Sequence, residues 1–261
     1  MRIIQTAERV SHEDMSDNYV YQRSLLAYVE VAGIVSGNVL EIGTGSGYGV
    51  EMIAKLTEKF VTIDKTKVTR DYPERDGVNY LRMKVPPLTN IPDNSFDFVI
   101  SFQVIEHIKN DADFIAEVHR VLKDGGKLII STPNKTMSLT RNPWHVREYT
   151  KEEFTILLQS HFGPIRELGV YGNERAMTYY NMNRRAVRRI TRYDIFRLQY
   201  RCPAALLRVP YDIMNRVNRR KLLKSCNSSG MLDLSLTDFY LDTATDRCLD
   251  LFYIAEKTGG N

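Results

Sequence analysis

Residues 39–47 read Val-Leu-Glu-Ile-Gly-Thr-Gly-Ser-Gly, an apolar strand running through Glu41 into glycines at Gly43, Gly45 and Gly47, with helix-forming sequence behind it. Alternate glycines at a strand end let the backbone approach a ligand with no Cβ in the way, and in open α/β sheets ligands collect at the carboxyl ends of strands. The stretch therefore predicts a strand, turn and helix that hold a nucleotide-like cofactor. An ordinary tight strand-to-helix turn would use the same glycines, so the weight of the reading rests on what surrounds them.

The dinucleotide fingerprint G-x-G-x-x-G needs a third glycine where its helix packs on the strand. Counted from Gly43 or from Gly45, that position falls on Tyr48 or Val50, which argues against NAD. Glu41 is badly placed for a pyrophosphate but well placed for a cofactor carrying ammonium and sulfonium charges, such as S-adenosylmethionine. Asp64 closes a second apolar run, Phe60-Val61-Thr62-Ile63, where a carboxylate can accept from both ribose hydroxyls. One helix-length segment separates Glu41 from Asp64, as a βαβ unit requires.

Strand signals recur at 39–42, 60–63, 79–83, 96–102, 127–132, 166–171 and 248–255, and those through Thr132 alternate with helical stretches. The clearest helix, 111–123, gathers Phe114, Ile115, Val118, Val121 and Leu122 on one face and stops at Gly125-Gly126. A chain of 261 residues with 43% hydrophobic content can bury one sizeable core. We therefore expect a single α/β domain over 1–261, with residues 173–245 inserted between the last two strands as a basic, mainly helical cap. Cys202, Cys226 and Cys248 form no C-x-x-C pair, which argues against zinc, a disulfide framework or a redox dithiol. No apolar core marks a signal peptide and no run approaches the roughly 18 apolar residues of a spanning helix. The expected location is cytoplasmic, with peripheral attachment to a membrane left open.

Net charge is +4, but it is unevenly spread. Residues 184–224 hold thirteen Lys and Arg against two acids, Asp194 and Asp212, a surplus of eleven cations that leaves the rest of the chain net acidic by seven. Interleaved Val187, Ile190 and Tyr193 give this stretch the pattern of an amphipathic helix with a basic face.

Further segments complete a pattern: Pro92-Asp93-Asn94-Ser95-Phe96-Asp97, Gln103-Val104-Ile105-Glu106-His107, Arg120-Val121-Leu122-Lys123-Asp124-Gly125-Gly126 and Ser131-Thr132-Pro133-Asn134. With the glycine motif and Asp64, in this order, they make the chain resemble the class I S-adenosylmethionine-dependent methyltransferases, particularly the group that includes the ubiquinone-biosynthesis O-methyltransferases. The resemblance covers roughly residues 21–168 and the final strand. It implies a Rossmann-like, doubly wound sheet of seven strands with the last antiparallel, S-adenosylmethionine as cofactor, and a site drawn from Glu41, Gly43, Thr44, Gly45, Gly47, Asp64, Phe102 and Gln103. The family usually places an Asp after the third strand to accept from the adenine amino group, whereas this chain has Arg82-Met83-Lys84-Val85-Pro86-Pro87. Backbone groups near Lys84 and Val85 are the expected substitute.

Methyl transfer from a sulfonium is an in-line displacement, so the protein mainly aligns the reactants, and a hydroxyl acceptor also needs a proton acceptor nearby. His107, after the fourth strand, and His145, in Asn142-Pro143-Trp144-His145-Val146-Arg147-Glu148-Tyr149 after the fifth, are the candidate bases. Capping or core histidines would account for either one equally well. Glu106, His107 and His145 are also the residues that would hold a metal, as similar Glu-x-x-Glu-His motifs in small-RNA 2′-O-methyltransferases suggest. Gln103 replaces the first of those acids, and adjacent helical residues diverge by about 100°, so no metal is assigned. The reading is methylation of a hydroxyl on an amphipathic or lipid- or glycan-linked small molecule, with anionic-lipid or membrane contact through 184–224. RNA methylation is the alternative, less favoured because no separate RNA-binding module is recognisable. A non-catalytic scaffold that binds S-adenosylmethionine is the third reading.

Overall fold

The computed structural model describes residues 14–66, 78–194, 198–227 and 234–259. The N-terminal stretch read for a signal peptide, Arg197 of the basic run and the side chain of Cys226 lie outside the described residues. In chain order the strands are β1 (Asn38–Ile42), β2 (Lys59–Asp64), β3 (Val78–Arg82), β4 (Phe96–Phe102), β5 (Leu122–Pro133), β6 (Ile165–Gly172), β7 (Phe239–Thr243) and β8 (Asp250–Glu256). The helices are α1 (Asn18–Ala32), α2 (Val50–Ala54), α3 (Asp111–Val121), α4 (Lys151–Gln159), α5 (Glu174–Thr191), α6 (Leu198–Arg201) and α7 (Ala204–Asn227).

All eight strands form one sheet in the order β3-β2-β1-β4-β5-β8-β6-β7. β1 to β5 pair in parallel, β8 runs antiparallel between β5 and β6, and β7 runs antiparallel on the outer edge of β6. The chain leaves β1 for β2 on one side and later fills the other side with β4, so the strand order reverses between β1 and β4. Crevices of this kind, at the carboxyl ends of the strands, are where doubly wound sheets bind ligands.

Parallel strands covered on both faces must be apolar on both, and Val39, Leu40 and Ile42 of β1 are all buried. One face packs under α3 and α4 through Ile115, Val118, Val121, Phe154 and Leu158; the other packs under α1 and α2 through Leu26, Val31, Val50 and Ile53. Thr150-Lys151-Glu152-Glu153 has the T-x-x-E pattern of a capping box, and the box forms. The Glu153 amide donates to Thr150 Oγ1 at 3.3 Å and the Thr150 amide to Glu153 Oε2 at 2.9 Å, which starts α4.

Among the described residues the sheet has eight strands, one more than expected. The additional strand, β7, lies inside the stretch read as helical; it pairs with β6 from Leu168↔Thr243 to Gly172↔Phe239. Its alternation is present, with Phe239 buried and Tyr240 exposed, but five residues on a sheet edge give a short signal. α3 also ends at Val121, two residues early, because Leu122 turns extended to open β5.

Candidate functional site

The glycine segment leaves β1 with Gly43, Gly45 and Gly47 all at positive φ, +98°, +56° and +74°. At Gly43 the need is steric as well: a Cβ there would lie 2.3 Å from Val104 Cγ2. At Gly45 a Cβ would meet nothing nearer than the Gly43 carbonyl at 3.9 Å, so this backbone is open to an approaching ligand. The loop is fastened at both sides. The Gly43 amide donates to the Ile63 carbonyl at 2.7 Å, and the Gly45 amide to Asp64 Oδ2 at 2.9 Å. Asp64 Oδ1 accepts from the Thr66 amide and hydroxyl at 2.8 and 2.7 Å. The Met83 amide reaches the Asp64 carbonyl at 2.9 Å, which brings the segment after β3 alongside.

Glu41 is buried at the end of β1, with Oε1 accepting from Tyr28 Oη at 2.8 Å and Oε2 from Thr62 Oγ1. Burial pushes its carboxyl up to about 7, against the pull of the Thr62 and Tyr28 hydroxyls, and nearby Asp64 raises it further. Burial and a second carboxylate outweigh the two donated hydroxyls, so the ionised form lacks a compensating positive charge. A cationic ligand would supply one.

Beyond Gly43 the chain passes through Val104 into the single 3-10 turn Ile105–His107. Gln103 before it holds a φ of 56°, an uncommon conformation for a residue with a side chain. Glu106 is buried, and its Oε2 accepts from Thr132 Oγ1 at 3.0 Å. The loop after β5 folds back over this turn, the amides of Val146 and Arg147 donating to the Glu106 carbonyl at 2.7 and 3.3 Å. This brings the His107 and His145 rings within 5.0 Å in an edge-to-face arrangement. One ligand atom from each of Glu106, His107 and His145 lies within 4.8 Å of the others.

Each imidazole is held by an acceptor. His107 Nδ1 faces the Trp144 carbonyl at 3.0 Å and His145 Nδ1 faces Glu148 Oε1 at 2.7 Å, so both Nδ1 atoms carry the hydrogen and Nε2 is the basic nitrogen of each neutral ring. His145 Nε2 receives the Asn142 amide at 2.8 Å.

Residues 40–130 match the family model described as a methyltransferase domain. A Mycolicibacterium smegmatis protein named as a probable S-adenosylmethionine-dependent methyltransferase is 37% identical over 166 residues, 59% of this chain and 63% of that one. The mitochondrial ubiquinone biosynthesis O-methyltransferase of Dictyostelium discoideum is 32% identical over 115 residues, 38% of this chain and 36% of that one. Residues 40–130 therefore carry a methyltransferase domain. Its fold agrees with a solved S-adenosylmethionine-dependent methyltransferase from Thermotoga maritima, with a TM-score of 0.54, 15% identity and 92% of each chain covered. The chain spans less than two thirds of the length of the curated relatives it matches.

Within this methyltransferase domain the residues expected at the cofactor fall into two groups. Glu41, Gly43, Gly45, Gly47 and Asp64 converge around one loop, with Lys84 and Val85 following the segment beside Asp64. Thr44 is buried, its hydroxyl against that of Thr62, and the Phe102 ring packs against Tyr28 and Phe252. These two side chains shape the site from behind and leave only backbone to a ligand. Gln103 lies at the junction between the cofactor loop and the histidine pair.

The sequence reading passed over an ion pair near Gln103. Arg23 Nε lies 2.9 Å from Asp250 Oδ2, with the Asp250 side chain 4% exposed. Burial raises the Asp250 carboxyl, while Arg23 and then the Gln103 side chain draw it partway back. A signal for Arg23 existed: Tyr19, Arg23, Leu26 and Ala27 fall at i, i+4, i+7 and i+8 on α1, so a cation sits in an apolar stripe.

The raised Glu41 carboxyl predicts a pH dependence. In the folded, ligand-free domain Glu41 holds a proton that the unfolded chain releases near pH 4.5, so its contribution to stability is full below 4.5 and is lost as pH rises through about 7. A cationic ligand favours the ionised form and reverses the sign. S-adenosylmethionine affinity should therefore rise between pH 6 and 8 by up to about ten-fold, with proton release on binding, and Glu41→Gln should flatten the profile. Calorimetric titration in buffers of different ionisation enthalpy reads both quantities.

Proposed function

We propose that the chain is an S-adenosylmethionine-dependent O-methyltransferase acting on a hydroxyl of an amphipathic small molecule, lipid-linked or glycan-linked. One observation carries this reading: a histidine with its Nε2 basic, seated beside a buried carboxylate and one short turn from the glycine loop. S-adenosylmethionine supplies an already activated methyl group on sulfur. Glu41, Gly43, Gly45 and Asp64 orient that cofactor, and His107 takes the acceptor hydroxyl proton as oxygen attacks. Glu148 fixes the tautomer of His145, and the Trp144 carbonyl fixes that of His107.

A second form of the reading is favoured by the same cluster. Two imidazoles with their Nδ1 hydrogens held by a carbonyl and a carboxylate, together with the Glu106 carboxylate, fit a divalent cation of the borderline kind. Bound there, such an ion would acidify the acceptor hydroxyl.

The test is incubation with methyl-labelled S-adenosylmethionine and a fractionated lysate of the source organism, with and without a chelator. Label in the organic-extractable or glycan fraction is the expected result, and its loss with chelator would favour the metal form. Label in RNA would replace this reading with RNA methylation. Cofactor binding with no label in any fraction would replace it with a non-catalytic scaffold.

A further inference from the structure

The described residues of 184–224 include the end of α5, the short α6 and most of α7, and they carry more than charge. Nine of the sixteen exposed large hydrophobic side chains among the described residues lie between Ile190 and Val217. Five are on α7. Leu206, Val209, Ile213, Met214 and Val217 are between 46% and 70% exposed. Their spacing keeps them on one side of the helix, and the same side continues into exposed Arg220, Lys221 and Lys224.

The opposite side of α7 is fastened to the body. Trp144 Nε1 donates to Asp212 Oδ1 at 3.0 Å, Arg216 pairs with Asp14 at 2.9 Å, Arg219 pairs with buried Asp17 at 2.7 Å, and Leu222 is buried. The apolar side therefore faces outward because its other side is already used. Tyr193 and Tyr200, at 76% and 60% exposure, add amphipathic rings of the kind that settle at a membrane–water boundary.

We infer that this face docks the domain on an anionic bilayer surface, with the apolar row of α7 entering the headgroup region and the surrounding arginines and lysines meeting lipid phosphates. Charge complementarity selects the occupant. Exposed Arg220, Lys221 and Lys224 in line with an apolar row suit an anionic lipid surface, on which both kinds of side chain are satisfied at once. RNA would satisfy the cations and leave Leu206, Val209 and Ile213 in water. A second copy docked by two-fold symmetry would bring two strongly cationic faces together. No helix among the described residues is long and apolar enough to cross a membrane, so the contact is one of lying on the surface. The inference goes beyond the proposed reaction and is tested without turnover.

The experiment is co-sedimentation with phosphatidylcholine vesicles and with equimolar phosphatidylcholine and phosphatidylglycerol vesicles, at low and high salt. The protein should sediment with the anionic vesicles alone, and high salt should weaken the binding without abolishing it. The double variant Ile213→Glu, Val217→Glu changes only exposed positions. It should keep the near-ultraviolet circular dichroism and S-adenosylmethionine affinity of the parent while vesicle affinity falls about ten-fold or more. No sedimentation with anionic vesicles, affinity unchanged in the double variant, or a dimer that the double variant dissolves would each overturn the inference.

Discussion

His107→Ala should lower kcat by about 10²- to 10⁴-fold with the acceptor identified by labelling, the range that a positioned general base contributes. The affinity for S-adenosylmethionine should stay within a factor of about three, since the glycine loop is fastened to Ile63 and Asp64. His145→Ala should cost less if proton transfer alone is at stake, because His145 Nε2 already accepts from Asn142. Equal losses from both substitutions, relieved in the parent by added divalent cation after chelation, would mark the metal form instead. Full turnover in His107→Ala would remove His107 as the base.

Gly43→Ala should weaken cofactor binding by about ten-fold or more without touching the histidine pair directly. An alanine would hold a φ near +98° that side chains rarely adopt, and its Cβ would lie 2.3 Å from Val104 Cγ2. Val104 is β-branched and stiff at χ1, so relief has to come from moving the loop itself. Left-handed backbone costs about 1–2 kcal/mol before the clash is counted, so affinity should fall by about ten-fold at the least. Gly45→Ala tests whether backbone strain or crowding dominates, because its Cβ would meet open space. We expect it to keep the fold at a strain cost of about 1–2 kcal/mol and to weaken binding further only as far as a ligand uses that space. Calorimetric titration with S-adenosylmethionine, alongside thermal unfolding of each variant, separates lost binding from lost folding.

What could be read in the sequence was local. The glycine turn after β1 and the end of β2 at Asp64 each depend on residues within a few positions of one another, and both form as expected. The Thr150 capping box is equally local. The convergence of Glu106 with His145 has a different origin. It depends on the Val146 and Arg147 amides bonding to the Glu106 carbonyl, and backbone donors leave no mark in the choice of side chains. The expected divergence of Glu106 and His107 assumed a continuing helix, whereas residues 105–107 make one 3-10 turn against which the later loop closes. Arg23 and Asp250 belong to opposite ends of the chain, and only the position of β8 beside β5 brings them together. β7 was hidden because the charge pattern of the preceding helices dominated the stretch around it.

The most direct measurement of the central claim uses S-adenosylmethionine carrying a carbon-13 methyl group, with carbon NMR of the product formed from the accepting fraction. The account predicts a methoxy carbon on an organic-extractable or glycan molecule, formed by the parent protein and lost with His107→Ala. An N-methyl carbon, or a 2′-methoxy carbon on RNA, would contradict it.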